Sequence, residues 1–448
     1  MPSFDVVVVG SGAAGLTVAS ACREAGRSVA VVDKRPFGGT CALRGCDPKK
    51  VLVAATSAVD AARRLEGRGV DPGGVVVDWP ALAASKRAFT DPVPEARARS
   101  FEEQGIAAYR GVARFVGPRA LAVDDERLDA SHVVVAAGAM PRPLGIPGEA
   151  LVSTSEDFLA LDRLPGRIVF IGGGYVSFEF AHVAAVAGAR ATILHRGERP
   201  LEGFDPDLVD ALSDATRQAG VDLRVRSPVV AVERAGDALR VRVGGDRGGA
   251  IEADMVVHGA GRVPDLDDLD LGRGSVERAS RGVAVTRHLQ SVSNPAVYAA
   301  GDAAAADGAP LTPVATIEGE AAARNLLEGN VVVPDYRGLP SVAFANPPIA
   351  RVGLLESEAR ERSLRFEVKK GESGSWASSR RIAERASGFK VLVEERSGRI
   401  LGAHLLGHGA EEVVNLFALA IRHGLTAADL REGLYAYPTH ASDVRYML

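Results

Sequence analysis

The sequence predicts an α/β protein made of two glycine-turn βαβ units and a C-terminal α+β segment. Three observations carry this reading. A G-x-G-x-x-G turn sits between strand and helix patterns at the start of the chain. A second turn of the same kind stands near the middle. From Pro334 onward the texture changes to short strands, a hairpin and one apolar helix, with no glycine fingerprint. At 448 residues the chain exceeds what one core accommodates, so two or three domains are expected.

The first unit is "DVVVVGSGAAGLTVASACREAGRSVAVVD". Val6 to Val9 read as a strand buried on both faces, because an unbroken β-branched run suits a covered parallel strand. Gly10 permits the tight turn, Gly12 lets backbone approach a pyrophosphate, and Gly15 lets the helix pack on the strand. The helix then turns its open N–H groups toward phosphate. Asp33 closes the second strand, 18 residues after Gly15, where a carboxylate accepts ribose hydroxyls. Cys22 falls in the apolar pattern of the helix and is expected in the core.

The second unit is "RIVFIGGGYVSFEFAHVAAVAGARATILHRGER", with Gly172, Gly174 and Ser177 in the three glycine places. Serine at the third place is expected to loosen the helix–strand approach slightly. The strand "ATIL" ends in His195 and Arg196, with Arg199 close by, where an acid would mark NAD. Guanidinium groups there suit a 2′-phosphate, which favours NADPH over NADH; the other reading is that they are solvated surface cations. Both units are therefore Rossmann-like dinucleotide-binding domains.

"VVVAAGAMPRP" reads as a strand leaving the first unit, "MVVHGAGRVPD" as the return from the second, and "VYAAGDAAA" as a strand leading to Gly301 and Asp302. In the last segment "ERSGR" supplies a hairpin turn, and the helix from Glu411 to His423 is either core or an oligomer interface.

A formal charge of −4 gives no electrostatic reason to expect nucleic acid, and the longest apolar runs are strand-like rather than membrane-spanning. "MPSFDVVVVGSGAAG" has no signal-peptide pattern, so a cytoplasmic location is the expectation. In a reducing compartment, Cys41 and Cys46, five positions apart in "GGTCALRGC", are more readily redox-active or metal-binding than a structural disulfide. Zinc needs about four ligands, and no second Cys/His pair stands at suitable spacing. Two unrelated buried thiols is the plain alternative. Two dinucleotide sites in one chain imply two cofactors that exchange electrons. FAD takes a hydride from a nicotinamide and passes two electrons on. A dithiol/disulfide beside the first site is a two-electron acceptor, and Arg44, Lys49 and Lys50 around it favour the thiolate.

The motifs "GSGAAG", "GGTCALRGC", "GGGYVS", "GAGRVP", "YAAGD" and "PPIARVGLLE" stand in the order found in the pyridine-nucleotide disulfide oxidoreductases. The chain resembles that family over essentially its whole length, in the branch of glutathione reductase, dihydrolipoamide dehydrogenase and mercuric reductase. The resemblance implies an FAD-binding domain split into residues 1–147 and 265–334, an NAD(P)-binding domain over 148–264, and a dimerisation domain over 335–448 of a homodimer. It implies Cys46 as the thiol against the flavin and Cys41 as the outer thiol that attacks a small thiol or disulfide substrate. Lys49 matches the lysine near the flavin ring, Glu179 its carboxylate partner, and Tyr175 the aromatic gate over the flavin. Lys34, Gly39, Thr40, Ala113, Ala137 and Gly138 would line the flavin nucleotide. Asp302 would hold its ribityl chain, and Leu311, Thr312 and Ala315 its ring. Val176 and Gly261 would flank the nicotinamide nucleotide.

The likeness breaks at the C-terminal end. The family carries a histidine and a glutamate that protonate the leaving thiolate across the dimer, whereas "AYPTHASD" has Tyr437 and Ser442 in those places. Tyr437 is then the inherited acid–base position, and His440 is the one imidazole in the segment. Glutathione reductases also place a serine and an arginine where Ala13 and Ser20 stand, which argues against glutathione. No cysteine follows Cys46, which argues against mercury. The alternatives are dithiol oxidation, electron transfer to a quinone or dioxygen, and a non-catalytic redox sensor.

Overall fold

Val6 to Val9 lie at 0–7% exposure in the middle of a parallel sheet, in a computed structural model that describes residues 2–245 and 248–448. Four valines in succession can occupy such a strand only because helices and loops cover both faces. The chain divides into two units, the first formed by Met1–Lys50, Ala84–Arg142 and Arg262–Tyr336. In its sheet, strand Ser3–Val9 pairs in parallel with Val29–Asp33 on one side and Glu126–Val135 on the other. Ala107–Arg110 and Val297–Ala299 extend the parallel part, and the hairpin Ala113–Gly117 and Ala120–Val123 adds an antiparallel edge. Helix Ala13–Glu24 crosses helix Thr312–Glu328 closely enough that a Cβ on Gly319 would lie 2.8 Å from the Ala14 carbonyl oxygen. Cys22, on the first of these helices, is fully buried in the core.

The second unit comprises Val51–Ala83, Pro143–Gly261 and Arg337–Leu448. It holds a parallel sheet in the order Asp222–Arg224, Arg190–Leu194, Arg167–Ile171, Met255–His258, and a three-stranded antiparallel sheet over Val229–Ala253. A five-stranded antiparallel sheet follows, in which Gly388–Glu394 and Ile400–Leu406 form the hairpin turned by Ser397 and Gly398. Helix Ala410–His423 buries Val413, Val414, Phe417 and Ala420 against that sheet, while Leu419 faces outward. One face of this helix is core.

Ser177 is fully buried, and its Oγ points at Gly259, where a Cβ would meet it at 2.0 Å. The third-glycine requirement has moved to the facing segment, so the serine does not hold helix and strand apart.

Lys390, at 3% exposure, places its ammonium 2.8 Å from both Asp205 and Asp207 and 3.4 Å from Glu356. Asp205 also caps helix Pro206–Gln218 through the amides of Asp207 and Leu208. Burial works against the charged lysine, but the hydrogen bonds it donates to Asp205 and Asp207 outweigh it and hold its pKa above the ordinary value. Removing one partner of a buried pair leaves the other charge uncompensated. Lys390→Met should therefore lower stability by about 3–5 kcal/mol in urea unfolding followed by circular dichroism. Adding Asp205→Asn should recover part of that loss; a single variant within about 0.5 kcal/mol of the parent would mean that water already screens the cluster.

Candidate functional site

Three backbones converge where the first strand ends. Gly10, at φ +107°, turns so tightly that a Cβ there would lie 2.2 Å from the Ala136 carbonyl oxygen. Gly12 caps helix Ala13–Glu24 with no side chain of its own, which leaves the N–H groups of the first turn open to a phosphate. Gly39, at φ +72°, approaches so closely that its Cβ would fall 2.4 Å from the Gly12 Cα. Asp33 ties this together: its Oδ2 accepts from the Ser11 amide (2.9 Å) and hydroxyl (2.6 Å), and its Oδ1 from the Arg35 amide (2.9 Å). Ser11 in turn accepts the Gly38 amide at 3.0 Å. Ser11 is a site residue the motif reading passed over; the signal was a hydroxyl between two turn glycines.

That anchor presents helix Gly39–Arg44, with Thr40 and Cys41, and after Gly45 the helix Cys46–Arg64. Both cysteines are free thiols, Cys41 half-buried and Cys46 exposed, and they hydrogen-bond to each other. Thr312, the first residue of helix Thr312–Glu328, donates to Cys41 Sγ at 3.2 Å and stands 3.8 Å from Cys46 Sγ. The hydrogen bond from Cys41 draws the Cys46 thiol down to about 6 against the opposing effect of burial, with Thr312, Lys49 and Lys50 assisting. Cys41 moves strongly upward, because its proton is the one shared with Cys46 and because it is buried. The arrangement makes one thiolate and one thiol at neutral pH.

Asp302 follows Gly301 in a short 3-10 turn; burial raises its pKa, with Arg262 opposing, and it accepts no hydrogen bond from the described residues. Leu311 precedes the Thr312 helix, and Ala315 on that helix faces Gly301 at 3.2 Å from its Cβ position. Ala137 and Gly138 lie just past strand Glu126–Val135, with open space beside Gly138, and Ala113 is buried at the start of its strand. A glycine cradle, an uncapped helix start, a strand-end acid and a recessed acceptor without a protein donor fit an adenine dinucleotide flavin. Lys34 is committed elsewhere: its ammonium bonds Asp265 (2.9 Å) and Asp268 (2.7 Å).

In the second unit Gly172, at φ +107°, meets the Gly259 carbonyl, and Gly174 caps helix Tyr175–Val186 with no side chain. Tyr175 stands part-exposed on the first turn, with Val176 beside it packed toward the core. Gly261 is again left-handed, at φ +105°. Of the three basic side chains, His195 is buried, which lowers its pKa, and Arg199 is held bidentately by Asp210 at 2.9 and 3.1 Å. Arg196 is exposed and pairs with no acid among the described residues. Glu179 is buried and accepts the Phe344 amide at 2.8 Å. Lys49 sits in the first turn of the Cys46 helix and acts on the Cys46 charge.

Tyr437 and His440 have opposite surroundings. Tyr437 is 83% exposed. His440 packs on Gly409 and lines a cavity of about 30 Å³ with Ser379, Ser387 and His408, whose ring stands edge-to-face at 5.3 Å. Burial first, then His408 and Arg381, lower the His440 pKa.

The thiol asymmetry yields a pH test. A thiol at about 6 is fully charged above pH 7 and protonated below pH 5, so alkylation of Cys46 should rise between those limits. Residue-resolved mass spectrometry of iodoacetamide-treated dithiol enzyme reads it. Cys41→Ala should move the midpoint upward, since the largest lowering cause is gone; an unchanged midpoint would assign the effect to the lysines.

The sequence pattern described as "Pyridine nucleotide-disulphide oxidoreductase" matches residues 4–319, and that of the same family's dimerisation domain matches residues 339–448. A glutathione reductase of Burkholderia cepacia is 32% identical over 98% of this chain and 97% of its own. A mercuric reductase of Bacillus cereus is 31% identical over 99% of this chain and 70% of its own, and a dihydrolipoyl dehydrogenase of Bacillus subtilis is 28% identical over 97% and 93%. In fold, the HOCl-induced flavoprotein disulfide reductase RclA from Escherichia coli superposes with a TM-score of 0.89 over 100% of this chain and 99% of its own, at 24% identity. Among the described residues no helix is long and apolar enough to cross a membrane. The chain belongs to the pyridine nucleotide-disulphide oxidoreductases, and it is an FAD-dependent, NAD(P)H-linked disulfide oxidoreductase with that family's dimerisation domain.

Proposed function

We propose that the protein is an NADPH-dependent reductase of a small disulfide, acting as a homodimer in the cytoplasm. In this reading residues 1–147 and 265–334 form the flavin-binding domain, 148–264 the nicotinamide-binding domain and 335–448 the dimerisation domain. The observation that carries it is the split of the two thiols, Cys46 drawn to about 6 and Cys41 pushed upward, beside the Gly12–Gly39 cradle.

FAD, when bound, takes a hydride from NADPH and supplies two electrons to the cysteine pair. The chain's residues do the rest. Cys46 holds the thiolate, with Lys49 and Lys50 stabilising its charge. Cys41 passes its proton on and attacks one sulfur of the substrate disulfide, releasing one thiol and forming a mixed disulfide. Cys46 then attacks Cys41, which releases the second thiol and closes the Cys41–Cys46 disulfide. Each released thiolate needs a proton. Tyr437 is the proposed donor, because it occupies the inherited position and its phenol is open. A half-buried imidazole packed on Gly409 suits His440 better as a support of this segment than as the donor.

Anaerobic titration tests the whole scheme. NADPH should reduce the flavin and then the cysteine pair, and a small disulfide should reoxidise both. A protein reoxidised by dioxygen or a quinone but by no disulfide belongs to the alternative class, and one that nothing reoxidises acts as a sensor. In stopped flow, Tyr437→Phe should leave reduction by NADPH unchanged and slow reoxidation by disulfide roughly 10²–10⁴-fold, whereas His440→Ala should slow it far less. The reverse ranking would return the proton to His440.

NADPH preference rests on Arg196, since Asp210 already occupies Arg199. Arg196→Ala should raise KM for NADPH about tenfold or more with little change for NADH, as for one lost charge-assisted contact. Arg199→Ala should do less. Equal effects on both nucleotides would remove Arg196 from phosphate recognition.

A further inference from the structure

We infer that Glu318 is a positioning residue for Asp302, holding the turn that presents the Asp302 carboxylate to bound flavin. Glu318 is 1% exposed on helix Thr312–Glu328. Each of its oxygens has one donor: Oε2 accepts the Gly301 amide at 2.7 Å, and Oε1 accepts the Tyr336 hydroxyl at 2.7 Å. Gly301 is left-handed at φ +68° and hemmed in, with the Ala315 and Ala14 methyls 3.2 and 3.4 Å from its Cβ position. Gly308 closes the other side, where a Cβ would fall 2.6 Å from Glu318 Oε1. Three stretches of chain thus meet on one carboxylate, and the residue after Gly301 is Asp302.

Burying an acid is costly, and here the cost rises because Asp302 repels it; burial and that charge both raise the Glu318 pKa. A stability role alone is better served by an apolar side chain. What an apolar side chain cannot do is accept the Gly301 N–H and so fix the turn. Asp302 gains from this, since its oxygens have no donor among the described residues and are left to a ligand hydroxyl. Tyr336 extends the clamp to the last residue of the first unit. The flavin-site turn and the chain's exit from the unit are therefore held by the same carboxylate.

The inference rests on FAD binding at the first site, and the test separates the two. Apoprotein is titrated with FAD, following flavin fluorescence for affinity and visible circular dichroism for the geometry of the bound flavin. Glu318→Ala should weaken FAD binding about tenfold or more and change the dichroism, while Glu318→Gln, which keeps an acceptor for Gly301, should stay within about threefold. Added to Asp302→Ala, the Glu318→Ala change should cost nothing further, because both act through one carboxylate. Additive losses, or Glu318→Ala binding within twofold of the parent, overturn the inference. Where Glu318→Ala does not fold, Tyr336→Phe decides: it should weaken binding about threefold to fivefold with altered dichroism, and parent-like values in both overturn the clamp. Failure of the parent apoprotein to take up FAD would overturn the cofactor assignment itself, and the inference with it.

Discussion

The contact between Gly12 and Gly39 is the constraint on which the chemistry of this molecule depends. Gly39 cannot carry a Cβ at that approach, since it would fall 2.4 Å from the Gly12 Cα, so the backbone of the nucleotide turn and the backbone that leads into the cysteines lie directly against each other. Asp33 then acts twice over. The motif assigns it to ribose hydroxyls, and its carboxylate also organises Ser11, which organises Gly38. Two carboxylate oxygens offer about four acceptor sites, so the internal bonds leave capacity for a ligand. Nucleotide turn, strand-end acid and the segment that leads into the dithiol are consequently one hydrogen-bonded assembly, built from residues between 11 and 38.

From that assembly the electrostatic asymmetry follows. Two thiols in similar surroundings would titrate together near their ordinary value. Here the proton that Cys41 shares with Cys46, together with the two lysines beside Cys46, pulls the pair apart, while the Thr312 hydroxyl lowers both. Thr312 reaches both only because the first turn of its helix, laid against Ala13–Glu24 by the small residues Ala14 and Gly319, brings the hydroxyl to the sulfurs. Packing of two helices by small side chains thus brings one hydroxyl to both sulfurs, and the proton between the sulfurs decides which is charged.

Much of this was legible in the sequence, and the parts that were not have a common cause. The valine run, the glycine turns, the strand-end Asp33, the hairpin at Ser397–Gly398 and the buried Cys22 each follow from local pattern, and each stands in the fold as expected. The cysteine spacing showed that the pair was special but not which thiol would ionise, because that depends on which sulfur gives the shared proton in the folded pair. The same holds for Lys34, neutralised by Asp265 and Asp268, and for Arg199, neutralised by Asp210. A motif gives a side chain's type and place; whether its charge is already spent is a tertiary fact. Ser177 teaches the converse, since the steric demand it seemed to violate is met by Gly259 on a segment the motif does not include.

The C-terminal segment shows what a substitution at an inherited position leaves behind. A histidine near neutrality both gives and takes a proton, whereas a phenol with a reference pKa of about 10 holds its proton and can only donate usefully at pH 7. A reductase needs protons delivered to departing thiolates, and a dithiol oxidase needs them removed. In the proposed reaction, an exposed tyrosine in this place therefore suits reduction. His440 does not restore the lost balance, because burial, His408 and Arg381 all favour its neutral form and its ring is committed to packing on Gly409. In the proposed reductase the direction of electron flow is thus served twice: the Cys41–Cys46 disulfide takes the electrons and leaves Cys46 as the thiolate, and Tyr437 offers its phenolic hydrogen to the departing product.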